Sequence, residues 1–217
     1  MGKLNYASYR QSEWPRIILK IILPVLVTFL GAGQLMAHPH VFIAGTLAPK
    51  VSPDGQYLVG TEVRWAFDQI YSSQMILDFD RDKNGKIDEA EKTVIYEEAF
   101  IHLAAIDYFL EIEPKSQTGT QKIRPGTADD FRASIDDGKM VYQFYVPFVG
   151  GTAKGIQLGG RKEFVIFLED PEYFIAFDSL LKLGIPFRGV TISRKEIVVQ
   201  NLQWGPYPVQ AVSVRGM

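Results

Sequence analysis

Apolar positions along the chain follow a strand-like pattern first, then a helical one, and then a strand-like one again. Two apolar runs rich in β-forming residues follow Pro39 and flank the turn sequence Ser52-Pro53-Asp54-Gly55, which predicts a β-hairpin. From Phe67 to Asp78 the apolar spacing is helical. A second helix is predicted from about Asp88 to Ile106, because this stretch contains no Gly or Pro and is rich in Glu, Ala and Leu.

The second half of the chain reads mainly as strands. Tyr108–Glu113 is a predicted strand, and Asp130–Ile135 and Met140–Val146 form a predicted hairpin. Strands, two helices and strands again predict an α+β domain, with a largely antiparallel β-sheet and an inserted unit of helix, EF-hand-like loop and helix. The remaining segments are strands at Lys162–Leu168 and within Thr191–Leu202, a loop at Gly150–Gly160, and Phe174–Leu183, which fits either a strand or a helix.

The N-terminal segment has the three parts of a secretory signal peptide. Residues 1–20 carry four basic side chains against one acidic side chain, and the apolar run from Ile21 to Leu30 follows. Small and flexible residues then lead to Ala37, after which we expect cleavage. We therefore predict a signal peptide at residues 1–37 and a single periplasmic domain at residues 38–217. The alternative is an uncleaved membrane anchor, because the 20 residues 17–36 are long enough to span a bilayer.

Composition narrows the class of protein. Residues 1–37 hold four of the 23 Lys and Arg residues and one of the 25 Asp and Glu residues, so their removal leaves 19 basic and 24 acidic residues. This balance argues against a nucleic-acid-binding protein, which would carry a basic face. The apolar content of 47% predicts a folded globule. Because the sequence has no Cys, disulfides, thiolate metal sites and a Cys nucleophile are excluded.

An acidic loop lies between the two predicted helices. Residues 80–91 read DRDKNGKIDEAE and match the twelve positions of an EF-hand calcium loop. Gly85 permits the sharp turn that brings a backbone carbonyl to the ion, and Glu91 at the twelfth position offers two oxygens. The alternative is a solvated acidic turn, since Asp, Asn and Gly are ordinary turn residues. The predicted calcium ligands are Asp80, Asp82, Asn84, Lys86, Asp88 and Glu91.

Calcium in this loop is expected to stabilise the fold. Sensor EF-hands usually come in pairs that open together, and the sequence contains one such loop. Carboxylates brought close together repel one another when no cation is bound. An ion that binds only the folded state would therefore stabilise it by mass action.

The three histidines are the other candidate metal ligands. His38 and His40 flank Pro39, and cleavage after Ala37 would give His38 a free α-amine that can chelate a metal together with its imidazole. Imidazole suits zinc, copper, nickel and iron. His102 falls on the predicted second helix, four residues after Glu98, which would orient its ring. The alternative readings are a disordered stub for the two N-terminal histidines and an ordinary helix residue for His102.

The stretch Ala37-His38-Pro39-His40-Val41-Phe42-Ile43 resembles the mature N-terminus of a bacterial periplasmic family of unknown function. Trp65-Ala66-Phe67-Asp68 with Tyr71-Ser72 is similar to a further part of that family's pattern, and an acidic loop and a helix follow there too. Members are often labelled as the periplasmic component of an uncharacterised ABC-type transport system. The resemblance implies a link to divalent transition metals through nickel/cobalt-type transporters, and it implies no enzymatic activity.

Three functional hypotheses follow. The first is an exported metal-binding accessory protein that hands a divalent ion such as zinc, nickel or copper to an inner-membrane transporter, while the acidic loop holds calcium. The second is a calcium-stabilised interaction module that docks on the transporter without any transition-metal role. The third is a copper redox enzyme that uses an N-terminal histidine. We expect no enzyme, because GxSxG, HExxH and Cys are all absent.

Overall fold

The computed structural model describes residues 39–115, 123–149, 154–160, 162–179, 189–201 and 205–216. These residues belong to one compact unit. Within them, no helix is both long and apolar enough to cross a lipid bilayer. The expected signal peptide, residues 1–37, lies outside the described residues, and so does His38.

The larger sheet of the described residues has six strands. The two hairpins predicted from the sequence form its centre, and every pairing is antiparallel except that of the first strand with Ile175–Ser179. The strands are β1 Val41–Val51, β2 Tyr57–Phe67, β4 Asp129–Asp136, β5 Lys139–Pro147, β6 Ile156–Gln157 and β8 Ile175–Ser179. Their order across the sheet is β4-β5-β2-β1-β8, with β6 pairing to β2.

A second, fully antiparallel sheet is built from the remaining strands. The strands are β3 Leu110–Pro114, β7 Glu163–Leu168, β9 Val190–Asn201 and β10 Gly205–Gly216. Their order is β3-β7-β10-β9. The α+β class and the mainly antiparallel pairing are confirmed, but the strands divide between two sheets where one was expected. The last strand, β10, was not predicted from the sequence.

One hydrophobic core is shared by both sheets. Strands of both sheets contribute fully buried side chains to it, such as Ile43 from β1 and Ile166 from β7. Trp65 lies in its centre, with its ring edge-on to that of Phe144 at 5.2 Å between ring centroids. Shared burial of this kind explains why the two sheets form a single unit, since each sheet covers the apolar face of the other.

Two helices follow β2, and the second is shorter than the sequence predicted. Helix α1 spans Gln69–Phe79 and helix α2 spans Glu89–Glu98. The predicted continuation of α2 to Ile106 is wrong. The backbone leaves the helical region at Ala99, and a 3₁₀ segment, Phe100–Phe109, follows. Phe100 is buried and stacks on Phe131 with ring centroids 4.0 Å apart, so side-chain packing against the sheet redirects the chain at this point.

Asp68 connects the start of α1 to the sheet. One carboxylate oxygen accepts hydrogen bonds from the backbone N–H groups of Ile70 at 2.8 Å and Tyr71 at 3.0 Å, so Asp68 is the N-cap of the helix. The other oxygen accepts from the N–H of Phe42 in β1 at 3.0 Å. Burial acts to raise the pKa of Asp68, but these hydrogen bonds outweigh it and hold the pKa below its ordinary value of 3.8.

Asp68→Ala is expected to lower the free energy of unfolding at pH 7 by about 1–2 kcal/mol, because it removes the N-cap and leaves the Phe42 N–H without its acceptor. The folded-state pKa lies below the unfolded one, so this contribution is present above pH 3.8 and is lost as the pH falls through the folded-state value. Urea unfolding at pH 7 and pH 3 measures both effects. Asp78→Ala, at an exposed position on the same helix, is the control, and equal urea midpoints for the two variants would contradict the prediction.

A candidate cation site between the two helices

The acidic loop joins the end of α1 to the start of α2, as the sequence predicted. Asp80 is the C-cap of α1, and its backbone N–H donates to the carbonyl of Ile76 at 2.9 Å. Asp88 is the N-cap of α2. Ile87 between them packs against the hydrophobic core, so the second half of the loop is attached to the body of the protein.

Three carboxylates of the loop converge on one point. Asp80, Asp82 and Glu91 each offer an oxygen, and these oxygens all lie within 4.8 Å of one another. Asp80 and Glu91 are each only 5% exposed, whereas Asp82 faces solvent. Two buried carboxylates beside a third acid repel one another, and this repulsion is costly away from water.

The Asp80 carboxylate accepts hydrogen bonds from backbone N–H groups in the first half of the loop. One of its carboxylate oxygens accepts from the N–H of Asn84 at 3.1 Å, and the other accepts from the N–H of Gly85 at 2.9 Å. Gly85 has φ +75°, a conformation that side chains with a Cβ rarely adopt, so glycine suits this turn. The loop therefore wraps around the Asp80 carboxylate.

Glu91 closes the second half of the loop. Its two carboxylate oxygens accept from the N–H of Arg81 at 2.7 Å and from the N–H of Asp88 at 3.1 Å. Asp88 returns a bond by accepting from the N–H of Glu91 at 2.9 Å, which completes a capping box. Glu91 thus reaches back to Arg81, ten positions earlier, and its side chain is held in the interior.

The other predicted loop ligands lie at the surface. Asn84 accepts from the N–H of Lys86 at 2.8 Å and donates its amide to Asp82 at 2.7 Å, so its side chain belongs to the loop's own hydrogen-bond network. Asp88 serves as the helix cap, and its carboxylate is not among the three that converge. Of the four predicted ligands that are carboxylates, three are therefore brought together: Asp80, Asp82 and Glu91.

The three converging carboxylates favour one class of metal ion, the hard cations. All three converging groups are carboxylates, which are hard oxygen ligands suited to calcium, magnesium or manganese rather than to soft metals. The hydrogen bonds to Asp80 and Glu91 come from backbone N–H groups, which partly offset the negative charge. The arrangement is thus suited to holding a hard cation.

The histidines do not join this cluster or form another one within the described residues. His40 is exposed at the start of β1. Its backbone N–H donates to the backbone carbonyl of Phe174 at 2.9 Å, and the centroids of the two rings are 4.8 Å apart. His102 is exposed in the 3₁₀ segment. Neither belongs to a described group of three or more potential metal ligands. His102 and Glu98 do not share one α-helix, because α2 ends at Glu98 and His102 lies in the 3₁₀ segment.

Residues 23–182, which are 160 of the 217 residues, match a family described as "Protein of unknown function (DUF1007)". The chain belongs to the DUF1007 family. The matched range includes the two helices, the acidic loop and all six described strands of the larger sheet.

This DUF1007 chain is also similar to an uncharacterised 15.5 kDa protein of Spirochaeta aurantia, encoded in the region 3′ to trpE. The two are 28% identical over 100 residues, which cover 46% of this chain and 64% of the relative. The similarity thus spans just under two thirds of the relative's length. No solved structure matches the DUF1007 chain.

Proposed function

We propose that the loop of residues 80–91 binds one calcium ion and that the protein is an exported, metal-binding accessory protein. The observation that carries the calcium proposal is the convergence of Asp80, Asp82 and Glu91 within 4.8 Å, with two of the three carboxylates buried. A bound divalent cation would neutralise this concentration of negative charge. The EF-hand spacing of the loop supports the same assignment.

Calcium suits the loop better than magnesium does. Calcium accepts roughly six to eight oxygens in flexible geometry, whereas magnesium requires a near-ideal octahedron and retains several waters. Here the converging acids come from both ends of a long loop, and Asp82 is open to solvent. Such a site can rearrange around a large ion and can complete its coordination with backbone carbonyls and water.

The role proposed for the ion is to hold the helix–loop–helix unit together. The loop connects α1, which buries Met75, to α2, which buries Ile95, and both side chains belong to the main core. An ion shared by Asp80 and Glu91 would tie the end of one helix to the start of the other. Calcium would thereby stabilise the packing of both helices on the sheet.

Calcium titration by isothermal calorimetry tests the proposal on protein produced from the full chain and freed of metal with a chelator. We expect one site per chain, and Glu91→Gln should weaken calcium binding by at least about tenfold, because the twelfth-position carboxylate supplies two ligand oxygens. Glu89→Gln is the matched control. It removes one exposed charge from the same helical turn without touching the three converging groups. Equal affinities for both variants would refute the assignment.

The proposed link to transition-metal transport rests on the sequence resemblance and on the position of His40. Its contacts with Phe174 hold His40 at the start of β1 rather than on a free stub, two residues after the expected mature N-terminus. An amine and imidazole at His38 together with His40 would bind zinc, nickel or copper. Metal analysis of protein purified from the periplasm, with the N-terminus determined by mass spectrometry, tests this. A His40→Ala variant that retains the same transition-metal content would exclude it and favour the docking module without such a metal.

A further inference from the structure

A cavity of about 500 Å³ lies at the opposite end of the 3₁₀ segment from helix α2. It is formed where the end of that segment, with the start of β3, faces the loop between β7 and β8. The two walls are joined by a backbone hydrogen bond from the N–H of Glu169 to the carbonyl of Phe109, at 2.9 Å. Its volume falls within the range typical of small-molecule sites, roughly 300–1,000 Å³.

Apolar side chains line much of this cavity. Ile106 and Phe109 come from one wall, and Phe174 and Ile175 come from the other. Ile106 is 48% exposed and Phe174 is 46% exposed, so two large apolar side chains on opposite walls face solvent. Exposed apolar surface inside a concave site is typical of a place where a ligand with an apolar body binds.

Among the described residues, the charged part of the lining is entirely acidic. The described residues that line the cavity include five carboxylates and no Lys, Arg or His. The carboxylate of Glu169 accepts a hydrogen bond from the Tyr207 hydroxyl at 2.8 Å. Burial, this bond and the nearby acids all raise the pKa of Tyr207, as expected where negative charge accumulates. The five acids are Asp107, Glu111, Glu169, Asp170 and Glu172.

These carboxylates are spread around the cavity and do not converge. Unlike Asp80, Asp82 and Glu91, no three of them bring ligand oxygens within 4.8 Å of one another. Asp170 turns inward, accepting from the N–H groups of Glu172 at 3.0 Å and Ile175 at 2.9 Å, and so shapes the loop. A single metal ion is therefore a poor match for this lining. A larger molecule that carries positive charge on an apolar body matches both its charge and its walls.

We propose that this cavity binds an organic cation, specifically an amine attached to an aliphatic or aromatic body. The apolar body lies against Phe109, Phe174 and Ile175, and the ammonium group faces the carboxylates. Charge complementarity selects the cation over neutral and anionic molecules of the same shape. The assignment is independent of the calcium loop, whose residues do not line the cavity.

The test uses three probes of similar shape: 2-phenylethylamine, the neutral 2-phenylethanol and the anionic 3-phenylpropionate. Binding to protein produced from the full chain is measured by calorimetry in saturating calcium, so that the state of the calcium loop is constant. We expect the amine to bind at least about tenfold more tightly than the alcohol, the acid not to bind, and amine affinity to fall as salt is added. The proposal is overturned if the alcohol binds as tightly as the amine or if no probe binds.

Variants locate the binding in the cavity. The double change Glu111→Gln and Glu172→Gln should weaken amine binding roughly threefold to thirtyfold, because two of the facing charges are lost. Phe174→Ala should weaken it by about tenfold through the loss of an apolar wall. Glu97→Gln, at an exposed site outside the cavity, removes a charge elsewhere and should leave the affinity unchanged. Unaltered amine affinity in both cavity variants would refute the assignment.

Discussion

Calcium at a hundred times its dissociation constant is expected to raise the melting temperature by roughly 5–11 °C. Binding only to the folded state contributes about 2.7 kcal/mol at that concentration, and a domain of this size gains about 2–4 °C per kcal/mol. The physical source is the relief of repulsion among Asp80, Asp82 and Glu91, two of which are buried. Differential scanning calorimetry with calcium and with a chelator measures the shift.

The same measurement on Asp80→Asn separates ion binding from a general effect of salt. This variant keeps the size of the side chain and removes one charge from the cluster, but its amide oxygen can accept from only one of the Asn84 and Gly85 N–H groups. We expect a smaller calcium shift, since one of the three converging carboxylates is lost. Magnesium at equal ionic strength is the control for screening. A wild-type shift of the same size with magnesium would show that the site does not select calcium.

Phe100→Ala is expected to lower the free energy of unfolding by about 3–5 kcal/mol, because it removes a large buried ring. Phe100 is 2% exposed, stacks on Phe131 and lies edge-on to Phe144 at 5.0 Å between centroids. The substitution leaves a hole where the 3₁₀ segment meets the sheet. Urea unfolding measures the loss.

The neighbouring substitution Ile101→Ala provides the control for Phe100→Ala. Ile101 follows Phe100 in the same 3₁₀ segment but is 48% exposed, so truncation leaves little cavity. We expect a change within about 0.5 kcal/mol for this variant. Similar losses for both variants would mean that the segment contributes through its backbone rather than through the buried ring.

Local features of the fold were predictable because local chemistry determines them. The turn Ser52-Pro53-Asp54-Gly55 forms as expected, with the Ser52 hydroxyl donating to Asp54 at 2.5 Å and Gly55 at φ +71°. The acidic loop also lies where its spacing placed it, between two helices. In both cases the residues that define the feature lie within about a dozen positions of one another.

The break after α2 could not be predicted from the sequence around it. The stretch from Asp88 to Ile106 has no Gly or Pro and favours a helix by composition. A 3₁₀ segment follows the break, and its last three residues, Asp107, Tyr108 and Phe109, have positive φ. Tertiary contacts support this costly backbone, since Tyr108 is buried and its hydroxyl accepts from the N–H of Ala128 at 2.9 Å. The partner is 20 positions away, outside any local pattern.

The sequence did not predict strand β10, and the register of its pairing with β7 and β9 explains why. Pro206 and Pro208 argue against a central strand, because proline cannot donate to the hydrogen-bond ladder. Here both prolines pair with β9 alone, and the pairing with β7 begins only at Ala211. The proline-containing half is therefore at the edge of the sheet, and only the later half is central.

Much of the candidate cation site was predictable, whereas the acidic cavity was not. The predicted loop ligands lie within twelve consecutive positions, and their spacing alone indicates the proposed chemistry. The cavity combines residues near 107 with residues near 172, whose proximity depends on the pairing of β3 with β7. The sequence contains the acidic run Glu169-Asp170-Pro171-Glu172, but nothing local shows what it faces.

The parallel pairing of β1 with β8 joins two strands that are synthesised at different times. Val41 pairs with Ile175, 134 positions later in the chain. At a synthesis rate of roughly 5–20 residues per second, the partner emerges about 7–27 s after β1 does. During that interval β1 has β2 on one side and an open edge on the other, and open edges invite pairing with other chains. Until Ile175–Ser179 is in place, β1 therefore keeps an open edge that can pair with other chains.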